Sequence, residues 1–240
     1  MDMRHAAALD RAISTDRLAT YLSEAGGDPE HARELYVWDR DLAAALLADI
    51  AIVEVALRNA VNDALTNRHG QRWFTKDIGL DDRSRSELAS AWRRAPGKNP
   101  LPGRVVAQLM LGFWVNLLDS GGTVGRSEPQ SFRMNYEDLW RDCVHQAFRG
   151  GRAVANQRQE QFTRSWTHEI ASTVQTVRNR CAHHEPLLRG IPLPGQNRRI
   201  SAQEGYDAYV LLLRIINQDL ATWVESNSAV ATVLARRPQP

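Results

Sequence analysis

The stretch DRDLAAALLADIAIVEVALRNAVNDALTN, residues 39–67, sets the class of this protein. Leu42, Leu46, Ile50, Val53, Leu57, Val61 and Leu65 recur at spacings of three or four, which places them on one face of a long helix. Gly70 follows as a stop signal. On the N-terminal side, a shorter helix is expected around Leu18, Tyr21 and Leu22, ending at Gly26-Gly27. Asp28-Pro29 then starts another turn, with Pro29 near a first helical position.

On the C-terminal side the helical period continues. A polar helix is expected over 82–94, closed by Ala95-Pro96-Gly97, and an apolar core helix over 104–118. Residues 119–130 contain Gly121, Gly122, Gly125 and Pro129 and read as a flexible surface loop. An amphipathic helix through Leu139, Trp140, Cys143, Val144, Ala147 and Phe148 is expected to end at Gly150-Gly151. A longer one carries Phe162, Trp166, Ile170, Val174, Val177 and Cys181, and stops near His184 because Pro186 disfavours helical geometry at Glu185. Pro192, Pro194 and Gly195 read as loop. Ser201-Ala-Gln-Glu204 is a capping box opening a helix through Tyr206, Tyr209, Leu213, Ile216, Leu220 and Trp223, with a short last helix over 229–235. No hairpin signal stands out, so the expectation is an all-α protein, one helical bundle over residues 1–240.

Composition narrows the function. The chain has 240 residues, ample for a core without disulfide or metal staples. No apolar run approaches the ~18–20 residues of a membrane span, and the N-terminus lacks a signal-peptide pattern, so no membrane association and no export are expected. Two cysteines far apart, Cys143 and Cys181, fit a reducing, cytoplasmic setting. Net charge is only +2, which announces no nucleic-acid coat protein. Only two of the 30 basic residues are lysines, and arginine suits phosphate recognition, although codon bias is the simpler explanation of the count.

One segment concentrates chemistry: Arg178-Asn179-Arg180-Cys181-Ala182-His183-His184-Glu185-Pro186, at a helix end. Asn179 and His183 share a helix face and are placed to hydrogen-bond. Arg178 and His183 lie about 140° apart on an ideal helix, so they converge only if the helix loosens or if two chains share the site. From Thr176 to Arg199 there are five arginines and one acid, Glu185, which reads as a basic cleft. Zinc is disfavoured, because His183 and His184 are adjacent and diverge, and no HExxH or CxxC spacing exists. Cys181 is a candidate nucleophile, but it falls on the apolar stripe, where thiols are inert. Arginine plus histidine without metal ligands suits cleavage of RNA through its own 2′-hydroxyl. The plainer reading is a helix C-cap whose basic residues satisfy the last carbonyls.

Arg178-Asn179-x-x-Ala182-His183 also matches the Arg-polar-x-x-x-His form of the HEPN superfamily, and RNRCAHHEPL resembles the version in Abi-like (abortive-infection) proteins. Tyr36-Val-Trp38-x-x-x-Leu42 leading into Glu54-Val-Ala-Leu-Arg58-Asn59-Ala60, and Gly112-Phe113-Trp114-Val115-x-Leu117-Leu118, agree with the same subgroup. The resemblance implies a HEPN-like helical bundle with additional helices, its motif-bearing core at about residues 35–225. It also implies a homodimer with a composite active site. The implied activity is a metal-independent endoribonuclease that needs no cofactor and acts on cellular RNA, tRNA included, in phage defence or as a toxin. Arg178, Asn179 and His183 carry over as the catalytic group, with His184 in reserve. Glu54 matches the acid found on an earlier helix; its plainer role is an intrahelical ion pair with Arg58. Arg58, Arg180, His184 and Arg189 are the expected RNA contacts. The alternative is a non-catalytic module that binds RNA or protein, and an antitoxin or other regulatory partner is compatible with either.

Overall fold

The computed structural model describes residues 3–125 and 131–239. The helices are α1 (Met3–Ala12), α2 (Thr15–Glu24), α3 (Pro29–His69), α4 (Asp82–Arg94), α5 (Pro102–Val106) and α6 (Leu111–Asn116). They continue as α7 (Tyr136–Asp142), α8 (Gly151–Gln157), α9 (Arg164–Ala182), α10 (Ala202–Ile216), α11 (Gln218–Asn227) and α12 (Val230–Ala235). Two short antiparallel pairs complete it: β1 (Thr123–Val124) with β2 (Phe132–Arg133), and β3 (Ile191–Pro192) with β4 (Arg199–Ile200). Helix accounts for 67% and strand for 3%, so the class is all-α. Among the described residues no helix is long and apolar enough to cross a membrane.

The chain divides into two compact units, residues 1–49, 176–206 and 227–240 in the first and residues 50–175 and 207–226 in the second. In the first unit α3 begins further upstream than its apolar run suggests. Asp28 accepts the Glu30 N–H on Oδ1 (2.9 Å) and the Ala32 N–H on its carbonyl (3.0 Å), so the helix starts at Pro29. Ala32, Leu35, Leu42 and Leu46 are buried, and so is Asp39, which sits on the same stripe. That one acid interrupts the apolar period and hides the continuity of a 41-residue helix. Trp38 donates its indole N–H to the Val233 carbonyl (2.8 Å), which docks α12. The capping box forms as expected: Ser201 Oγ accepts the Glu204 N–H (3.1 Å) and Glu204 Oε2 accepts the Ser201 N–H (2.7 Å).

The second unit corrects four expectations. The apolar segment 104–118 is not one helix: α5 and α6 are separated by a turn whose Gln108 and Leu109 N–H groups bond three residues back, and Met110 is extended. Val105, Leu109, Phe113, Trp114, Leu117 and Leu118 are all buried, and a segment apolar on every side buries its faces better as two pieces than as one rod. The helix expected through Phe148 breaks at Cys143 and continues as a 3-10 turn over Val144–Ala147. Gly150-Gly151 opens α8 instead of ending a helix. The helix expected from Tyr206 to Trp223 divides at Asn217, whose Oδ1 accepts the Leu220 N–H (3.1 Å) as the cap of α11. Trp223 consequently lies outside the core, at 52% exposure.

Strand β1 falls in the expected loop 119–130 and β2 just beyond it, β3 falls in the loop expected around residues 192–195, and residues 126–130 lie outside the described residues. Asp81, fully buried, accepts the Ser84 N–H (2.8 Å) as cap of α4 and the Gly122 N–H (2.8 Å) beside β1. Burial works to raise its pKa, but the bonds from Ser84 and Tyr136 and the charge of Arg83 hold the carboxyl below its ordinary value.

The Gly150 N–H donates to the Ile215 carbonyl (2.9 Å), and a Cβ at Gly150 would stand 2.5 Å from the Arg214 carbonyl oxygen. Gly150→Ala should therefore cost about 1–3 kcal/mol by overpacking. Gly103→Ala meets open space inside α5 and should be neutral or stabilise by up to about 1 kcal/mol. Urea unfolding of the pair checks this: a lower midpoint for the first variant only, at unchanged slope.

Candidate functional site

The motif sits where α9 ends. Its last turns carry Val177 and Cys181 inward, both fully buried, while Arg178, Asn179 and Arg180 are half-buried and His183 and His184 exposed. The end is a Schellman motif. The His184 N–H bonds the Cys181 carbonyl (3.0 Å) and the Glu185 N–H bonds the Arg180 carbonyl (3.0 Å). His184 takes the left-handed conformation there, with φ of 55°. Arg17 Nη2 from α2 donates to the His183 and His184 carbonyls (3.3 and 3.1 Å). Arg180 closes the turn from the other side, with Nε on the Pro186 carbonyl (2.8 Å) and Nη1 on Glu185 Oε2 (2.7 Å). Basic residues thus satisfy the carbonyls at the helix end, as the C-cap reading requires.

Asn179 joins the two motif residues, though not as expected. Its Oδ1 accepts from Arg178 Nη1 (3.2 Å), and its backbone carbonyl accepts the His183 N–H (2.9 Å). The amide side chain is therefore turned to the arginine rather than to the imidazole. Glu54 and Arg58 belong to the second unit, both half-buried on α3. The expected ion pair between these two does not form; Arg58 directs Nε to Asn59 Oδ1 instead (3.4 Å).

Three of the five arginines of the basic window pair with acids. Arg180 pairs with Glu185 inside it, Arg189 with Glu24 (3.4 Å) and Arg198 with Glu204 (2.8 Å) from outside it. Arg189 also donates to Ser23 Oγ (2.8 Å), and Arg199 to the Arg189 and Gly190 carbonyls (2.8 and 2.7 Å). Arg180 and Arg189, expected as RNA contacts, are committed to holding the loop. The expectation of a basic cleft counted only charges inside the window; chain folding brings Glu24 and Glu204 to its arginines, and brings Arg17 and Arg237 alongside.

Sequence reasoning missed the residue that fixes this loop. Asp39 of α3 accepts the Tyr21 hydroxyl (2.8 Å) and the Leu187 N–H (3.1 Å to each oxygen). Burial raises its pKa, against the bonds from Tyr21, Leu187 and Leu188 and the charge of Arg180. The available signal was an acid at a core position of an apolar helix stripe. Cys181 lies in the same surroundings: burial, helped by the Asp39 charge, pushes its thiol up to about 12. It is not a thiolate at neutral pH, which removes it as a nucleophile. Among the described residues, His183 and His184 belong to no group of metal-ligating side chains; the one such group lies in the second unit.

His184→Gly should raise stability by about 0.5–1 kcal/mol, because glycine adopts the left-handed conformation without the penalty of a Cβ. A rise in the urea midpoint checks it. The pH dependence follows from the thiols. Burial raises both Cys143 and Cys181 from 9.0 in the ordinary state to about 12 folded, so the unfolded chain loses these protons first. The stability they contribute is complete below about pH 9 and is lost as pH rises toward about 12. Thermal melts between pH 7 and 11 should show a falling midpoint above 9, less steep in Cys181→Ala.

No protein-family model matches the chain, and neither a curated protein nor a solved structure matches it.

Proposed function

We propose that the chain is a metal-independent endoribonuclease of the HEPN type, working as a homodimer on cellular RNA in phage defence or as a toxin. The observation that carries this reading is the arrangement around Asn179. Its Oδ1 holds Arg178, and the exposed His183 follows at a helix end whose carbonyls Arg17 and Arg180 satisfy. The resemblance of the surrounding sequence to Abi-like proteins supports the same reading.

In the proposed reaction His183 takes the proton from the RNA 2′-hydroxyl, whose oxygen attacks the adjacent phosphorus. Arg178 stabilises the charge gathered on the phosphate oxygens. The P–O5′ bond breaks, and the leaving oxygen takes a proton from the partner subunit's His183. The products are a 2′,3′-cyclic phosphate and a 5′-hydroxyl. Asn179 positions the arginine, and Glu54 remains the candidate acid. Two chains are invoked because Arg178 and His183 lie about 140° apart on an ideal helix.

Purified protein incubated with tRNA or total RNA in excess EDTA should leave those ends. Arg178→Ala and His183→Ala should each slow cleavage by about 100-fold or more, while His184→Ala should not. RNA that is bound with salt-dependent affinity yet left intact would instead assign a binding module. Equal cleavage by all three variants overturns the assignment.

A further inference from the structure

Three side chains of different chemistry meet in the second unit. His69 is the last residue of α3; Asp142 is the last of α7, and Cys143 follows it. His69 Nε2 lies 3.2 Å from Asp142 Oδ2 and 3.9 Å from Cys143 Sγ, and the three atoms all lie within 4.8 Å of one another. Neighbours in a regular helix point about 100° apart, so Asp142 and Cys143 would ordinarily diverge. They do not, because the backbone leaves the helix at Cys143, with φ −154° and ψ −33°.

We propose that His69 Nε2, Asp142 Oδ2 and Cys143 Sγ bind one Zn²⁺ ion, with water as the fourth ligand. Tetrahedral zinc with ordinary bond lengths sets its ligand atoms about 3.3 Å apart for N···O and about 3.6 Å apart for N···S. The observed separations are within a few tenths of an ångström of both. Imidazole, thiolate and carboxylate together suit zinc, not magnesium or calcium. Arg68 Nε donates to Asp142 Oδ1 (2.7 Å), which fixes the carboxylate and leaves Oδ2 toward His69. Its charge opposes a cation, but the carboxylate it holds offsets that. His69 and Asp142 are 20% and 31% exposed, so the ion has a route from solvent, while Cys143 is buried. The end of a long helix, where carbonyl dipoles converge, also favours a cation at His69.

Cys143 supplies the linkage. Zinc takes the thiolate, so binding expels a proton, and affinity should rise with pH across the neutral range. The alternative is an ordinary His–Asp ion pair beside a packed thiol, which binds nothing. The proposal does not rest on the ribonuclease reading.

The test uses the full chain, stripped with EDTA and reloaded with Zn²⁺ or Co²⁺ alone. One zinc per chain should be retained, and cobalt should give a thiolate-to-metal charge-transfer band. Cys143→Ala should abolish that band, and His69→Gln should weaken zinc binding by more than about 100-fold, since outer-partner changes alone cost 10–100-fold. Circular dichroism separates ligand loss from misfolding. Arg68→Gln, outside the ligand set, keeps the band at reduced affinity and so guards against a misfolded ligand variant. Absence of stoichiometric zinc and of the cobalt band in the unmodified chain overturns the proposal, as does zinc retained unchanged in folded Cys143→Ala. RNA cleavage is read separately in EDTA, so failure of either idea leaves the other standing.

Discussion

A buried carboxylate holds the first unit together. Asp39 receives a phenol from α2 and a backbone N–H from the segment after α9, so three pieces far apart in sequence meet on one side chain. Its burial opposes ionisation, and the donors around it offset that opposition. A buried carboxylate with this many partners is costly to disturb, because removing it strands a tyrosine hydroxyl and backbone N–H groups without acceptors. The turn that carries His183 is held beside this arrangement: Arg17 of α2 holds the His183 and His184 carbonyls, and Arg180 of α9 holds the Pro186 carbonyl.

Much of the helical plan was legible. The boundaries of α4, the capping box before α10 and the stop of α9 ahead of Pro186 follow from local signals that tertiary packing did not override. What failed is as instructive. Asp39 broke an apolar stripe and concealed the first quarter of α3, because the partners that satisfy a carboxylate at a core position lie outside its own helix. Apolar runs over 104–118 and 206–223 keep helical period across helix breaks, so periodicity reports burial there and not continuity. The glycine pair at 150–151 reads as a stop but serves close approach to the chain near Ile215. The β3–β4 pair is two residues per strand, too short for alternation to register.

The candidate site was legible as a cluster and less so as electrostatics. Arginine, asparagine and histidine fall together in sequence and remain together in the structure. Their surroundings do not follow from a local count of charge. Glu24 and Glu204 reach arginines of the window, and the positive charge read from residues 176–199 is largely taken up by structural bonds. This narrows the features available for recognition to the motif itself, where Asn179 holds Arg178 and His183 is exposed. The arginines also differ in what they do. Several brace the loop, whereas the one beside Asn179 stands in the proposed chemistry.

The Schellman turn at His184 has a consequence for the order of folding. Arg17 and His184 are 167 residues apart, and Asp39 and Leu187 are 148 apart. Contacts of that range form late, since the loop they close must be ordered first. On a ribosome α2 and α3 emerge well before residues 184–187, so Arg17 and Asp39 wait for their partners until that segment has been made. The end of α9 therefore acquires its braced geometry only once both sides of these contacts are present. Whatever work the motif does, a chain that stops short of Leu187 is poorly equipped to do it.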